Sequence, residues 1–265
     1  FGNEEQKQKY VPGLAAGKIF GCYGLTEPDS GSDAASMKTT AVQDGDYYIL
    51  NGNKMWITNA GIADVAIIFA KTDKDAGARG ITAFLVDKDT PGYSTKDIHD
   101  KLGLRASNTA EIILDNCRVH KSAILGEIGK GFRVAMGALD NGRYTVAAGC
   151  VGAAQGALDA AKQYAKERIQ FGKPIAGHQL VQQMIADMAV EIEAGRLLVY
   201  RAGHVKNMGR KSTREVCIAK YYTSEMVNRV TYKAVQIFGC YGFSGEYPVE
   251  RFYRDARINT LYEGT

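Results

Sequence analysis

The chain has 265 residues, 45% of them hydrophobic and 23% charged, with a formal net charge of +4. These ordinary globular proportions exclude a disordered tail and a collagen-like repeat. No apolar run approaches the ~18 residues of a membrane span, and a small positive excess without a basic stripe speaks against nucleic acid as a partner.

Read from the start, Phe1 follows no initiator Met and no signal-peptide pattern. The first strand-like run is Ile19 to Gly24. The turn-rich segment from Tyr23 through Thr26-Glu27-Pro28 to Gly31-Ser32-Asp33 comes next. Its hydroxyls, glycines and backbone N–H groups suit either an anion cradle or an ordinary hydrophilic turn. β-branched and aromatic runs predict strands at 47–50, 54–58, 65–70, 81–86 and 111–114. Asn51-Gly52 is the strongest hairpin signal among the intervening turns. Strands this closely spaced, with no helix between them, predict an antiparallel sheet, sandwich-like or barrel-like. Trp56 is the sole tryptophan. On one strand it shares a face with Thr58, a pairing that suits either a flat heteroaromatic ligand with polar edges or a core position at a strand end.

Beyond residue 126 the texture turns helical. Leu180, Met184, Met188 and Ile192 form one stripe; Ile218, Tyr222, Met226, Val230, Ala234 and Phe238 form another. With breaks at Gly172-Lys173-Pro174 and Asn207-Met208-Gly209, they predict helices near 129–168, 177–207 and 213–240, packed as a bundle. Only a short candidate follows, around 249–261, so the bundle lacks a closing helix. Asp140 and Arg143 lie three apart on the first helix, hence on one face. The chain stops at Tyr262-Glu263-Gly264-Thr265, where Glu263 sits at an irregular position open to a general base. Both ends read as cuts.

Other chemistries are absent from the sequence. There is no Gly-x-Gly-x-x-Gly after a strand, no Gly-Lys-Ser/Thr and no Gly-x-Ser-x-Gly. The four histidines have no metal-ligand spacing, and no metal is expected. The five cysteines form no Cys-x-x-Cys pair, a pattern that fits a reducing compartment.

Taken in order, the segments resemble the acyl-CoA dehydrogenase family of flavoenzymes. The likeness rests on Leu25-Thr26-Glu27-Pro28 with Gly31-Ser32-Asp33, Met55-Trp56-Ile57-Thr58-Asn59 and Arg168-Ile169-Gln170-Phe171-Gly172. Gln236-Ile237-Phe238-Gly239, Tyr253-Arg254-Asp255-Ala256-Arg257 and Tyr262-Glu263-Gly264-Thr265 continue it. The resemblance implies an α+β organisation. Residues 1–17 would be the tail of an N-terminal helical domain, 18–125 the middle β-domain and 126–265 an incomplete C-terminal helical bundle. Most of the first domain and the last bundle helix would lie outside the chain.

It also implies roles. Glu263 would abstract the α-proton of a fatty or branched acyl-CoA, and a hydride would pass from the β-carbon to N5 of FAD, giving the trans-2-enoyl-CoA. Tyr23, Leu25, Thr26, Ser32, Trp56, Ile57 and Thr58 would contact the flavin. Arg168, Gln170, Phe171, His178, Gln179, Gln236, Ile237, Phe238, Gly239 and Cys240 would hold FAD largely from a neighbouring subunit, with Thr265 a further flavin contact. Ser32, Asp140, Arg143 and Gly264 would contact substrate. A shared site of this kind implies a homo-oligomer, in this family usually a tetramer. The electron acceptor would be an electron-transferring flavoprotein, and the location the mitochondrial matrix or the bacterial cytoplasm.

Two departures stand out. Cys240 replaces a glycine frequent in the family, and its side chain is expected to pack beside FAD. Some branches place the base just before Arg143; here that residue is Gly142, which leaves Glu263 as the matched base. Rival readings are a nitroalkane-oxidase-like enzyme, disfavoured by Glu rather than Asp at 263, and a duplex-DNA-binding protein, disfavoured by the modest charge. Acyl chain length is not encoded in these motifs.

Overall fold

The computed structural model describes residues 1–264 and contains two compact units. One comprises Phe1–Lys101 and Arg105–Ala138; the other comprises Leu102–Leu104 and the described residues from Leu139 on.

The first unit opens with helix α1 (Glu4–Ala15), started by a reciprocal capping box between Asn3 and Gln6. Gln6 is buried, and its amide donates to the carbonyls of Ser122 and Ile124 at 2.9 and 2.8 Å, tying α1 to the segment after the last strand. Seven strands follow: β1 (Gly21–Gly24), β2 (Thr40–Asp44), β3 (Tyr47–Thr58), β4 (Val65–Lys71), β5 (Ile81–Asp87), β6 (Tyr93–Asp97) and β7 (Thr109–His120). They form one sheet in the order β1-β4-β2-β3-β7-β6, with β5 also paired to β4. Leu50, Ile68, Phe84 and Ile112 are fully buried in its core.

The sheet differs from the sequence reading in three ways. Asn51-Gly52 is not a hairpin turn. It lies inside β3, one continuous 12-residue strand, at a register shift against β7. Gly52 has φ +146°, and a Cβ there would sit 2.5–2.8 Å from Thr39. The glycine answers a close approach. The turn between β2 and β3 is at Asp44-Gly45-Asp46, where the Asp-Gly pair also predicts one, with Gly45 at φ +58°. Secondly, β2 and β6 went unread because most of their residues face solvent and carry little apolar patterning. Finally, the sheet is mixed: β1 pairs with β4 in parallel, as does the single β2–β4 bridge, while the other pairs are antiparallel.

Helix α2 (Gly131–Glu167) starts in the first unit and runs into the second, which adds α3 (Gln179–Asn207), α4 (Thr213–Phe238) and the short α5 (Val249–Ala256). A two-stranded ribbon, β8 (Ile169–Gln170) with β9 (Lys173–Pro174), joins α2 to α3. Cross-helix bonds define the directions. Gln155 of α2 meets Arg196 of α3 at 2.8 Å, and a Cβ at Gly203 would touch Tyr144; rising numbers on one helix meet falling numbers on the other, so the two are antiparallel. Glu191 of α3 accepts from Arg229 and Lys233 of α4, while Gly195 sits near Thr223 and Met226, again antiparallel. The core contains Met188, Ile192, Met226, Val230, Ala234 and Phe238 as their stripes predicted, but Leu180 and Ile218 at the stripe ends are exposed.

Candidate active site

The C-terminal turn is built against α2 and α4 of the second unit. Glu263 has φ +57° and Gly264 φ +90°. An L-residue in that left-handed region costs about 1–2 kcal/mol, so the conformation must be held from outside. Arg143 of α2 donates from Nε to the Glu263 carbonyl at 2.9 Å, and Lys220 of α4 donates to the Gly264 carbonyl. Arg143 also faces Asp140 at 3.4 Å, and Asp140 accepts from the Thr213 hydroxyl at 2.7 Å. Both cations hold backbone carbonyls around the acid.

The Glu263 carboxylate itself packs on bare helix. A Cβ at Gly142 would lie 2.4–2.7 Å from its atoms. Its Oε2 is buried, with no hydrogen-bond partner among the described residues. Burial pushes this carboxyl above its ordinary value, with Arg143 and Lys220 pulling the other way. An unbonded, desolvated carboxylate keeps its basicity, because donors that would stabilise the anion are turned elsewhere.

In the first unit the features assigned to a flat ligand cluster around the end of β3. The ladder with β7 breaks between Lys54 and Ile57, and Met55 N–H donates instead to the Thr26 carbonyl at 2.9 Å. This bulge puts Trp56 at φ +63° and leaves it 61% exposed between buried Lys54 and Ile57. Thr58 is exposed and Thr26 half-buried. Beneath them Lys54, fully buried, pairs with Glu27 at 2.8 Å and also donates to the Leu25 carbonyl. Burial alone would raise the Glu27 carboxyl, but Lys54 and the Lys38 N–H bring it below its ordinary value. Tyr23 donates its hydroxyl to the Ala135 carbonyl at 3.1 Å and packs edge-on to Phe69. Leu25 and Ile57 are buried, so their side chains belong to the core and only their backbone can serve a ligand. Ser32 is exposed in the loop.

A further cluster lies at the α2–α3 ribbon. Phe171 has φ +52° and is 94% exposed. His178 sits edge-on to it, with Nε2 3.4 Å from the Gln170 carbonyl. The Arg168 guanidinium lies over Tyr241 at 5.3 Å, which joins the ribbon to the turn that ends α4. Gln170, Gln179 and Gln236 are exposed, whereas Ile237 and Phe238 are buried, Phe238 stacking on Tyr164 at 4.1 Å. Gly239 has φ +60° with open space around it, and the Cys240 thiol faces solvent. Thr265 lies outside the described residues.

Three residues escape a reading of the sequence: Lys54 and Glu27, which pair, and Lys220. Lys220 carried a signal: it falls among the buried positions Val216, Ala219, Thr223 and Met226 of α4, where a lysine needs a reason to be inside.

An exposed Trp56 held in a left-handed conformation at the end of β3 and, elsewhere, a half-buried Glu263 whose Oε2 has no partner among the described residues fit a redox enzyme of the flavoprotein class. The comparisons with known proteins agree. Residues 22–117 match the acyl-CoA dehydrogenase middle domain and residues 129–265 the acyl-CoA dehydrogenase C-terminal domain. An acyl-CoA dehydrogenase of Bacillus subtilis (strain 168) is 49% identical over 265 residues, covering the whole of this chain and 70% of that protein. The caffeyl-CoA reductase-Etf complex subunit CarC of Acetobacterium woodii is 51% identical over 264 residues, with 100% and 70% coverage. The structure of butyryl-CoA dehydrogenase from Megasphaera elsdenii superposes with a TM-score of 0.97 at 48% identity, covering 100% of this chain and 70% of that one. The chain belongs to the acyl-CoA dehydrogenase family; it is an oxidoreductase, and its cofactor is FAD.

The residues present fit that group. A left-handed Trp56 stores strain of the kind that gathers at ligand sites, and a flavin ring would offer an apolar face to Trp56 and polar edges to Thr26 and Thr58.

Proposed function

We propose that the enzyme performs α,β-dehydrogenation of a fatty or branched acyl-CoA to the trans-2-enoyl-CoA, with Glu263 as the base. The observation that carries this reading is the buried, unbonded Glu263 Oε2 against Gly142. Glu263 takes the α-hydrogen as a proton, and the electron pair left on the α-carbon forms the double bond as the β-hydrogen departs with its own pair. When bound, FAD supplies the acceptor for that hydride. Glu263 must be ionised for its step, and the exclusion of water that raises its pKa also makes it a stronger base toward carbon. Arg143 and Gly264 hold the acid in place, and Asp140 orients Arg143. Thr26, Trp56 and Thr58 hold the flavin ring. The ribbon of exposed Arg168, Gln170 and Phe171 with half-buried His178 serves the FAD of a second copy in a homotetramer.

The reverse direction uses the same groups, with protonated Glu263 delivering a proton to the α-carbon of an enoyl thioester. The 51% identity to a subunit named as a caffeyl-CoA reductase favours this as a second reading. That protein is also named as part of an Etf complex, which supports an electron-transferring flavoprotein as the redox partner here. A role in β-oxidation, in a bacterial cytoplasm or a mitochondrial matrix, follows the dehydrogenase direction.

Anaerobic bleaching of the bound flavin by a panel of acyl-CoAs tests the reading. Wild type is expected to bleach with at least one, and Glu263→Gln to retain FAD without bleaching. Near wild-type bleaching by that variant would remove Glu263 from the role. Arg168→Ala is expected to lose FAD and tetramer together in gel filtration; retained yellow tetramer would refute the shared site.

A further inference from the structure

Lys220 has no part in the chemistry above, yet it is only 5% exposed and lies on the helix facing the base. Burying an ammonium is costly unless it is well bonded, and the Gly264 carbonyl is the acceptor given to it. Thr213, Cys217 and Lys220 fall on one face of α4 at intervals of four and three residues. That face meets Asp140 and Arg143 of α2: Thr213 bonds Asp140, and Arg143 reaches the Cys217 sulfur at 3.8 Å.

We propose that Lys220 is a positioning residue for proton transfer: by holding the Gly264 carbonyl while Arg143 holds the Glu263 carbonyl, it clamps the two successive backbone carbonyls that begin at the base and leaves the Glu263 Oε2 unbonded. The inference rests on Glu263 being the base. Three observations converge on it. Glu263 sits in the left-handed region, which a non-glycine residue keeps only where neighbours over-determine it. The two donors come from different helices, so neither alone fixes both peptide groups. The carboxylate beside them has a buried Oε2, unpartnered among the described residues.

The lysine also contributes its charge. Arg143 on α2, Lys220 on α4 and the neighbouring Tyr262 act on Glu263, and Asp140, Cys150 and Cys217 lie around those three. Burial pushes the Cys150 thiol up to about 11 and the Tyr262 phenol up to about 12, so both are neutral at physiological pH. Arg143 faces Asp140. Lys220 lowers the pKa of Glu263 through its charge. Burial lowers its own pKa as well, so its charge is more readily lost at alkaline pH than that of a solvated lysine.

The test uses the FAD-loaded enzyme and the variants Lys220→Met, Lys220→Arg and Glu263→Gln. Flavin reduction by the best acyl-CoA of the panel is followed across pH by anaerobic stopped flow. The base works ionised, so activity rises through its pKa. Losing a nearby positive charge raises that pKa, and the rising limb moves to higher pH by about one unit. Lys220→Met is expected to bind FAD, to reduce it at least about ten-fold more slowly at neutral pH, and to show the shifted limb. Lys220→Arg keeps the charge; its limb is expected at the wild-type position, with a lowered rate because the donor geometry changes. Amide hydrogen exchange of the 258–264 segment, measured without substrate, is expected to accelerate in Lys220→Met.

Wild-type rate, limb and exchange in Lys220→Met would overturn the inference. If that variant does not fold, Lys220→Arg decides: a wild-type rate overturns the clamp, and a displaced limb overturns the charge role. A dead Glu263→Gln beside an unaffected Lys220→Met sinks only the lysine's role, whereas an active Glu263→Gln sinks the base assignment itself.

Discussion

Replacing Gly142 by alanine separates catalysis from stability. Gly142 lies inside α2, where alanine is favoured over glycine by about 1 kcal/mol. The added methyl would sit 2.4 Å from Glu263 Oε2 and 2.7 Å from its Oε1 and Cδ. Ordinary contact needs about 3.4 Å, so the carboxylate must retreat by about 1 Å. The atoms that give way are the end of a flexible side chain, so the clash costs little folding energy. Proton transfer, by contrast, depends on the base lying within reach of the α-carbon, and a displacement of this size costs on the order of 100-fold in rate. Gly142→Ala is therefore expected to melt at the wild-type temperature or up to about 4 °C higher, and to retain FAD. Its flavin reduction by acyl-CoA is expected to slow by about 10- to 100-fold. Thermal unfolding and anaerobic stopped-flow reduction measure the two quantities on one preparation. Reduction within a factor of two of wild type, in a protein at least as stable, would refute the placement of the working carboxylate against Gly142.

Other perturbations probe the remaining parts. A Glu263 pKa raised in the folded state makes folding favour the protonated acid. That contribution is complete below the unfolded value and is lost as pH rises through the folded one. The melting temperature of wild type relative to Glu263→Gln, measured without substrate, should fall as pH climbs above the ordinary carboxylate value of 4.5, and a flat difference would contradict the burial argument. In the first unit, Lys54→Met or Glu27→Gln leaves one buried partner of the pair alone and should cost about 3–5 kcal/mol in chemical denaturation. The double variant should recover much of that loss, and purely additive losses would show that the pair is not coupled. FAD retention should fall in the single variants, because the pair underlies the loop from Thr26 to Ser32.

How far the sequence could be read depended on whether the deciding interaction was local. The three long helices were legible because their buried positions recur within each helix and because Gly and Pro interrupt them at Gly172–Pro174 and Gly209. The β-sheet was less so. Asn51-Gly52 carries the local chemistry of a turn, but Gly52 is there because Thr39, on another segment, leaves no room for a side chain. The parallel pairing of β1 with β4 is a contact between residues 21–24 and 65–68, and nothing in either segment alone announces it. At the candidate site, Glu263, Trp56 and Thr58 stand out through recognisable motifs. Lys220 does not, because an isolated lysine reads as a surface residue until the burial of its helix neighbours is known.

The non-glycine residues with positive φ give these motifs a common physical meaning. Trp56, Phe171 and Glu263 all belong to that set, and each stands at a break in regular structure. A left-handed Trp, Phe or Glu gains nothing from its own backbone, since glycine would adopt the same φ without penalty. Asn59, Asp100, Leu104 and Asn116 share the conformation, so φ alone does not mark a site; at these three positions the side chain is predicted to be what the position needs. In each case a second feature holds the strained residue: the Met55–Thr26 bond beside Trp56, the β8–β9 ribbon around Phe171, and Arg143 with Lys220 around Glu263. Substituting glycine separates the two roles. Trp56→Gly, Phe171→Gly and Glu263→Gly relieve strain while removing the side chain, so each should lose far more function than stability. A stability loss as large as that of an ordinary core truncation would mean that the strained position serves packing rather than the site.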